Sequence, residues 1–153
     1  MRLCLVHPEI PQNVGTLIRL SACLNVPIDV VESCGFLFAD KKLKRSGMDY
    51  IDLAALHRHI SWDAFQKARP SGRLIALAPR VPHYYHNFSF QPTDILLLGK
   101  ESEGLEREIM DEADVVLAIP QVSGTRSLNM AVAGAIVLGE ALRQTQGLSF
   151  QES

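Results

Sequence analysis

Residues 115–144 read VVLAIPQVSGTRSLNMAVAGAIVLGEALRQ, and the parsing of that stretch decides the fold. A short apolar run, 115–119, stops at Pro120, and a polar loop carrying Ser123, Gly124, Thr125 and Arg126 follows. Ser127 stands where an N-cap belongs, its hydroxyl able to accept a free amide of the next turn. From Leu128 a helical pattern runs to about residue 144. Apolar residues continue almost all round between 130 and 138, so the helix is expected to be covered on more than one side. It is also rich in small residues: Ala131, Ala133, Gly134, Ala135 and Gly139. A glycine costs about 1 kcal/mol relative to alanine inside a helix, so close approach of another backbone is the expected compensation. Two readings stay open: a buried helix of a small domain, or one shared between the core and a subunit interface.

Working outward, apolar runs at 3–6, 28–31, 74–77 and 95–98 read as strands, each bounded by turn residues. Asn13 is the expected N-cap of a helix carrying Val14, Leu17, Ile18, Ser21 and Leu24, broken at Asn25-Val26-Pro27. Residues 62–68 read as a helix ended by Pro70-Ser71-Gly72, and another follows 100–104 with Leu105, Ile109 and Met110. The stretch 50–60 fits no single period, and 80–94 reads as a loop with a turn of helix. Strands alternating with helices indicate an α/β fold, a mainly parallel sheet with helices on both faces. Ligands in such sheets sit beyond the carboxyl ends of strands. The loops after Leu77, after Leu98 (opening with Gly99) and at Ile119-Pro120-Gln121 are therefore the candidate rim of one pocket, with Ser127 beside it.

With 153 residues, 47% of them hydrophobic and 21% charged, the chain is expected to form one domain spanning 1–153. No apolar run approaches a membrane span, and no signal-peptide pattern follows Met1. Cys4, Cys23 and Cys34 form no metal-spaced cluster, and their odd number points to reduced thiols in a cytoplasm. The net charge of −2 argues against a generally basic nucleic-acid binder. Attraction to a polyanion must come from a local patch, and Lys41, Lys42, Lys44 and Arg45 are the dense one. It is read either as a solvated face or as a nucleic-acid contact.

Several familiar chemistries fail. A phosphate loop at Leu98-Gly99-Lys100 lacks its first glycine, since Asp94 stands there, and Glu101 holds the Ser/Thr position. No G-x-G-x-x-G or G-x-S-x-G follows a strand. His57 and His59, and His83 and His86, lack a third ligand at metal spacing, so no metal site is expected.

The stretches PEIPQNVGTLIRL (8–20), LLLGKESEGL (96–105) and IPQVSGTRSLNMAVAGAIVLGEALRQ (119–144) resemble the three motifs of the SPOUT RNA methyltransferases. The Asn-x-Gly-x-x-x-Arg element, Asn13 to Arg19, resembles the ribose 2′-O-methylating branch. With no added RNA-binding domain expected, GFLFADKKLKRSGMDY (35–50) resembles its short TrmL-like group, which methylates the ribose of the wobble nucleotide, cytidine or modified uridine 34, in certain tRNAs. The resemblance implies a carboxyl-terminal helix threaded through a loop as a deep trefoil knot, an exception to the usual absence of knots. It further implies a homodimer and S-adenosylmethionine as methyl donor, with Leu77, Gly99, Ile119, Ser127 and Leu128 lining the adenosine pocket. Arg19 is the implied catalytic residue. A guanidinium stays protonated in proteins, so its expected task is to grip a phosphate and stabilise the developing oxyanion. Glu101 is read either as a partner that orients Arg19 or RNA, or as a loop-to-helix contact. One departure is Gly139 before Glu140, where related sequences often carry an aromatic residue. The competing readings are 2′-O-methylation of another tRNA position or of ribosomal RNA, and a non-catalytic RNA- or nucleotide-binding module.

Overall fold

A computed structural model describes residues 1–32, 50 and 53–145. Six strands form one sheet: β1 (Arg2–Val6), β2 (Ile28–Val31), β3 (Leu56–His59), β4 (Leu74–Leu77), β5 (Ile95–Leu98) and β6 (Val115–Leu117). The helices are α1 (Pro11–Leu24), α2 (Trp62–Ala68), α3 (Arg107–Asp111) and α4 (Met130–Thr145), with a 3-10 turn at Tyr85–Asn87. The strand order is β3-β2-β1-β5-β4-β6, and every pairing is parallel. From β1 the chain steps outward to β2 and β3, crosses to β4, returns as β5 beside β1, and leaves through β6 at the far edge. The direction of winding reverses between β1 and β5, and a ligand crevice belongs beyond strand ends at such a switch.

Alternation along the strands divides the core between two faces. Leu3, Leu5, Leu96 and Leu98 point to the side covered by α1 and α4, through Val14, Leu17, Ile18, Val137 and Leu138. Cys4, Val6, Ile95 and Leu97 point to the other side, covered by Phe65 of α2 and Ile109 of α3. The central strand ILLL is buried throughout, as a parallel strand covered on both faces must be. Burial pushes the Cys4 thiol well above its usual range, with Asp29 adding to the shift. The buried carboxylates are paired: Asp29 with Arg2 and His59, and Asp94 with both Nε and Nη2 of Arg73 at 2.8 Å.

Four sequence expectations shift. Helix α1 begins two residues before Asn13, with Pro11 in its first turn, and Ile10 as its N-cap makes no side-chain cap bond. Helix α4 begins at Met130, not Leu128, and Asn129 rather than Ser127 caps it: Asn129 Oδ1 accepts the amides of Ala131 (2.8 Å) and Val132 (3.2 Å). Strand β6 ends at Leu117, short of Ile119. Within α4, Gly134 is explained by neighbouring side chains and not by a close backbone, and nothing in the protomer requires a glycine at Gly139. A Cβ on Gly134 would lie 2.8 Å from Leu98 Cδ1 and 3.2 Å from Leu17 Cδ2, while one on Gly139 would meet nothing within 4 Å. Within the protomer α4 is covered on one side only, leaving Val132 (48% exposed) and Ile136 (37%) on the other.

Candidate active site

The loops that follow β4, β5 and β6 converge beyond the carboxyl ends of those strands and line a half-open cavity of about 390 Å³. Leu77, Gly99, Ile119, Ser127 and Leu128 all line this cavity, together with Asn13 and Ala133 from the helices. Leu98, Leu117 and Met130 supply an apolar floor, and the polar loop 100–104 forms one wall. Gly99 has a local reason to lack a side chain. The 100–104 turn closes on itself through Lys100 N–H to Gly104 O (3.0 Å) and Gly104 N–H to Lys100 O (2.8 Å). A Cβ on Gly99 would then stand 2.2 Å from Leu105 N and 2.3 Å from the Gly104 carbonyl carbon. Both are backbone atoms, so the turn cannot form around a side chain.

The three segments of the site are tied by a chain of side-chain hydrogen bonds. Glu101 accepts from Glu9 N–H (2.7 Å), Ile10 N–H (3.1 Å) and Asn13 Nδ2 (3.0 Å). It thereby supplies to α1 the anionic cap that the helix's own first turn lacks, at the positive end of the helix dipole. Glu101 is thus the loop-to-helix contact; its partners are the start of α1 and not Arg19. Asn13 Oδ1 in turn accepts from Asn129 Nδ2 (2.9 Å), whose own Oδ1 caps α4. The direction of the chain is fixed, since a carboxylate can only accept at one end and backbone amides can only donate at the other. Glu9 completes a reciprocal latch by accepting from Ser102 N–H and Oγ, both at 2.9 Å, and these bonds hold its carboxyl below the usual carboxylate range. Beside it Lys100 donates to Glu106 (2.9 Å); the bond raises the lysine's pKa and lowers the glutamate's.

Arg19 lies outside this cavity. It sits on the exposed side of α1, six residues beyond Asn13 and about 9 Å further along the axis at the helical rise. Its guanidinium carbon stands 5.1 Å from the centre of the Tyr50 ring, a cation–π contact. The basic run Lys41, Lys42, Lys44 and Arg45 lies outside the described residues. Asn129 was missed in the sequence, although Asn ranks with Ser as an N-cap residue. Nothing local separates Ser127 from Asn129 as the cap; the bond from Asn129 to Asn13 does. Among the described residues no three His, Cys, Asp or Glu side chains are grouped to hold a metal ion, and no helix is long and apolar enough to cross a membrane.

Residues 1–139 match the SpoU rRNA Methylase family. The chain belongs to that family. Among the relatives of this SpoU protein is the tRNA (cytidine(34)-2′-O)-methyltransferase of Beijerinckia indica, 46% identical over 149 residues, which cover 96% of this chain and 93% of the relative. A solved structure described as giving structural insights into the 2-OH methylation of C/U34 on tRNA superposes with a TM-score of 0.89 at 38% identity, covering 96% of this chain and 97% of that one. The SpoU methyltransferase AviRb from Streptomyces viridochromogenes, solved in complex with the cofactor AdoMet, superposes with a TM-score of 0.82 at 25% identity, over 94% of this chain and 60% of that one. The fold of this SpoU protein is accordingly of the SPOUT α/β class.

Proposed function

We propose that this chain is an S-adenosylmethionine-dependent methyltransferase acting on the ribose 2′-hydroxyl of the wobble nucleotide, cytidine or modified uridine 34, in certain tRNAs. The observation that carries the reading is near-full-length similarity to tRNA (cytidine(34)-2′-O)-methyltransferases, with 46% identity to that of Beijerinckia indica. The cavity suits the cofactor. Its volume falls in the range of small-molecule sites, about 300–1,000 Å³. Leu77, Ile119 and Leu128 offer apolar surface to a flat adenine, and the strand-end backbone beside Gly99 and the Ser127 hydroxyl offer polar partners. When bound, S-adenosylmethionine supplies an electrophilic methyl group. The protein's part is to align the ribose hydroxyl for in-line displacement, which is mainly a matter of positioning, and to exclude water from the cavity. Arg19, as a permanent cation, grips a phosphate of the RNA and stabilises charge developing on the 2′-oxygen.

The position of Arg19 outside its own protomer's cavity favours a homodimer, in which the exposed α4 face around Val132 and Ile136 packs, with α1, across a two-fold axis. One subunit's Arg19 then meets the RNA over the other subunit's cofactor. A single domain carries cofactor binding and chemistry, with the run Lys41, Lys42, Lys44 and Arg45 attracting tRNA and no metal taking part. Helix α4 packs on α1 and β5 at the centre of the sheet, and the proposed fold includes the carboxyl-terminal trefoil knot that the family resemblance implies. A substrate that is tRNA implies a cytoplasmic protein. The test is calorimetry and turnover on wild type and Arg19→Ala. Cofactor affinity should be near normal in both, and turnover at saturating tRNA should fall by about a hundredfold in the variant, the scale of one lost oxyanion donor. Absence of cofactor binding at millimolar concentration by the wild-type protein would exclude a methyltransferase.

A further inference from the structure

A second groove of about 730 Å³ adjoins the cavity, lined by Pro79, Arg80, Tyr84, the 118–125 segment and Ser127. Pro79, Ile119, Gln121 and Ser127 border both, so the two spaces adjoin. Among the described residues, none that lines the groove is acidic, and none comes from α1 or α4. The proposed dimer face therefore leaves it open. Tyr84 is 42% exposed and stacks on His86, ring centres 5.8 Å apart and planes 10° from parallel. His86 is held edge-on by Tyr85 at 5.6 Å and 87°, and the groove takes in Tyr84 but not His86. The backbone under these rings is fixed by a parallel bridge to Ala118, through Ala118 N–H to His83 O (2.8 Å) and Tyr85 N–H to Ala118 O (3.0 Å). Arg80 has φ +62°, a left-handed conformation that costs a non-glycine residue and tends to be kept at functional sites. Its Nη2 makes one long bond, 3.4 Å, to the Thr125 carbonyl, and among the described residues no carboxylate lines the groove beside it.

We propose that this groove is a nucleobase subsite, in which Tyr84 stacks an unpaired base flanking the target ribose and Arg80 meets the adjoining phosphate. The inference rests on the RNA methyltransferase reading and adds the place where the neighbouring nucleotide goes. Single-stranded nucleic acid is bound by this pairing of a preorganised aromatic face with a cation, and every base has a π-face to offer. The groove beside the cavity, carrying the Tyr84 ring and, among the described residues, no carboxylate, is the surface that matches an unpaired base.

The experiment uses the full chain and an anticodon stem-loop RNA with 2-aminopurine placed on either side of nucleotide 34. Wild-type protein should quench one of the two probes on binding. Tyr84→Ala should abolish that quenching and raise KM for tRNA by about ten- to a hundredfold, the range for one lost base stack. The effect should fall on KM rather than kcat, with cofactor affinity and melting temperature held. Tyr84→Phe should restore both quenching and KM. Arg80→Ala should flatten the salt dependence of binding by about one phosphate contact. Normal KM and normal quenching with Tyr84→Ala, in a protein that methylates tRNA, would overturn the subsite and leave the function standing. Tyr84-dependent quenching by a wild-type protein that methylates no tRNA would support the subsite and remove the proposed function.

Discussion

The bond between Asn129 and Asn13 joins the start of α4 to the start of α1, and its removal has a calculable cost. Asn129→Ala leaves the amides of Ala131 and Val132 without their cap, worth about 1 kcal/mol. It also removes the donor to Asn13 Oδ1, worth about 1 kcal/mol for a neutral hydrogen bond. Together these give about 2 kcal/mol, which for a chain of this size lowers the melting temperature by about 4–8 °C. Asn13→Ala loses only the shared bond and the bond to Glu101. The pair should therefore be non-additive, with a coupling of about 1 kcal/mol in a double-mutant cycle measured by urea denaturation. Calorimetry on the same four proteins should show cofactor affinity falling with stability, because Asn13 and Asn129 both border the cavity. Additive effects, or a melting temperature within 1 °C or so of wild type for Asn129→Ala, would refute the tie between the two helices.

Three further outcomes are expected. Gly99→Ala places a Cβ against the backbone of Gly104 and Leu105, so it should disrupt the 100–104 turn, abolish cofactor binding and lower the melting temperature; a stable variant with normal affinity would contradict the packing account. Glu9 and Glu106 are held below the ordinary 4.5, and Glu140 is lowered to about 2 by Arg143 and Gln144. Such depressed folded-state values stabilise fully above the unfolded pKa and are lost as pH falls through the folded one. The melting temperature should hold down to about pH 5 and fall between about pH 4.5 and about pH 2, less steeply in Arg143→Ala, and a flat acid profile would count against these pairings. Val132→Glu together with Ile136→Glu should halve the sedimenting mass at micromolar concentration, whereas a wild-type chain that sediments as an active monomer would remove the dimer.

Parts of this architecture were legible because they depend on local signals. The bounds of β2, β4, β5 and α2 coincide with the sequence reading: each is an apolar or periodic run stopped by its own turn residues, such as Pro70-Ser71-Gly72 after α2. The strand-end rule located the cavity, since the loops after β4, β5 and β6 converge there whatever their residues. Strand β3 was not legible. Its residues LHRH lie at the sheet edge with His57 and Arg58 exposed, so it lacks the apolar run of a central strand. The caps were misread for a related reason. Helix α1 is capped by Glu101, some ninety residues away, and the choice of Asn129 over Ser127 depends on Asn13. No window of sequence holds both partners. The Tyr84–His86 stack is likewise visible in sequence only as four aromatic or imidazole residues in a row, in which spacing alone draws notice to His83 and His86 and not to a ring pair.

The central claim is that a ribose hydroxyl at the wobble position accepts the methyl group. It is tested most directly by incubating the purified protein with S-adenosylmethionine and unmodified tRNAs, then mapping 2′-O-methylation in nuclease digests by mass spectrometry. A single 2′-O-methyl on nucleotide 34 of a subset of tRNAs, absent when that nucleotide is 2′-deoxy, is the predicted result. A methyl on a base, on another tRNA position, or on ribosomal RNA alone would contradict the account.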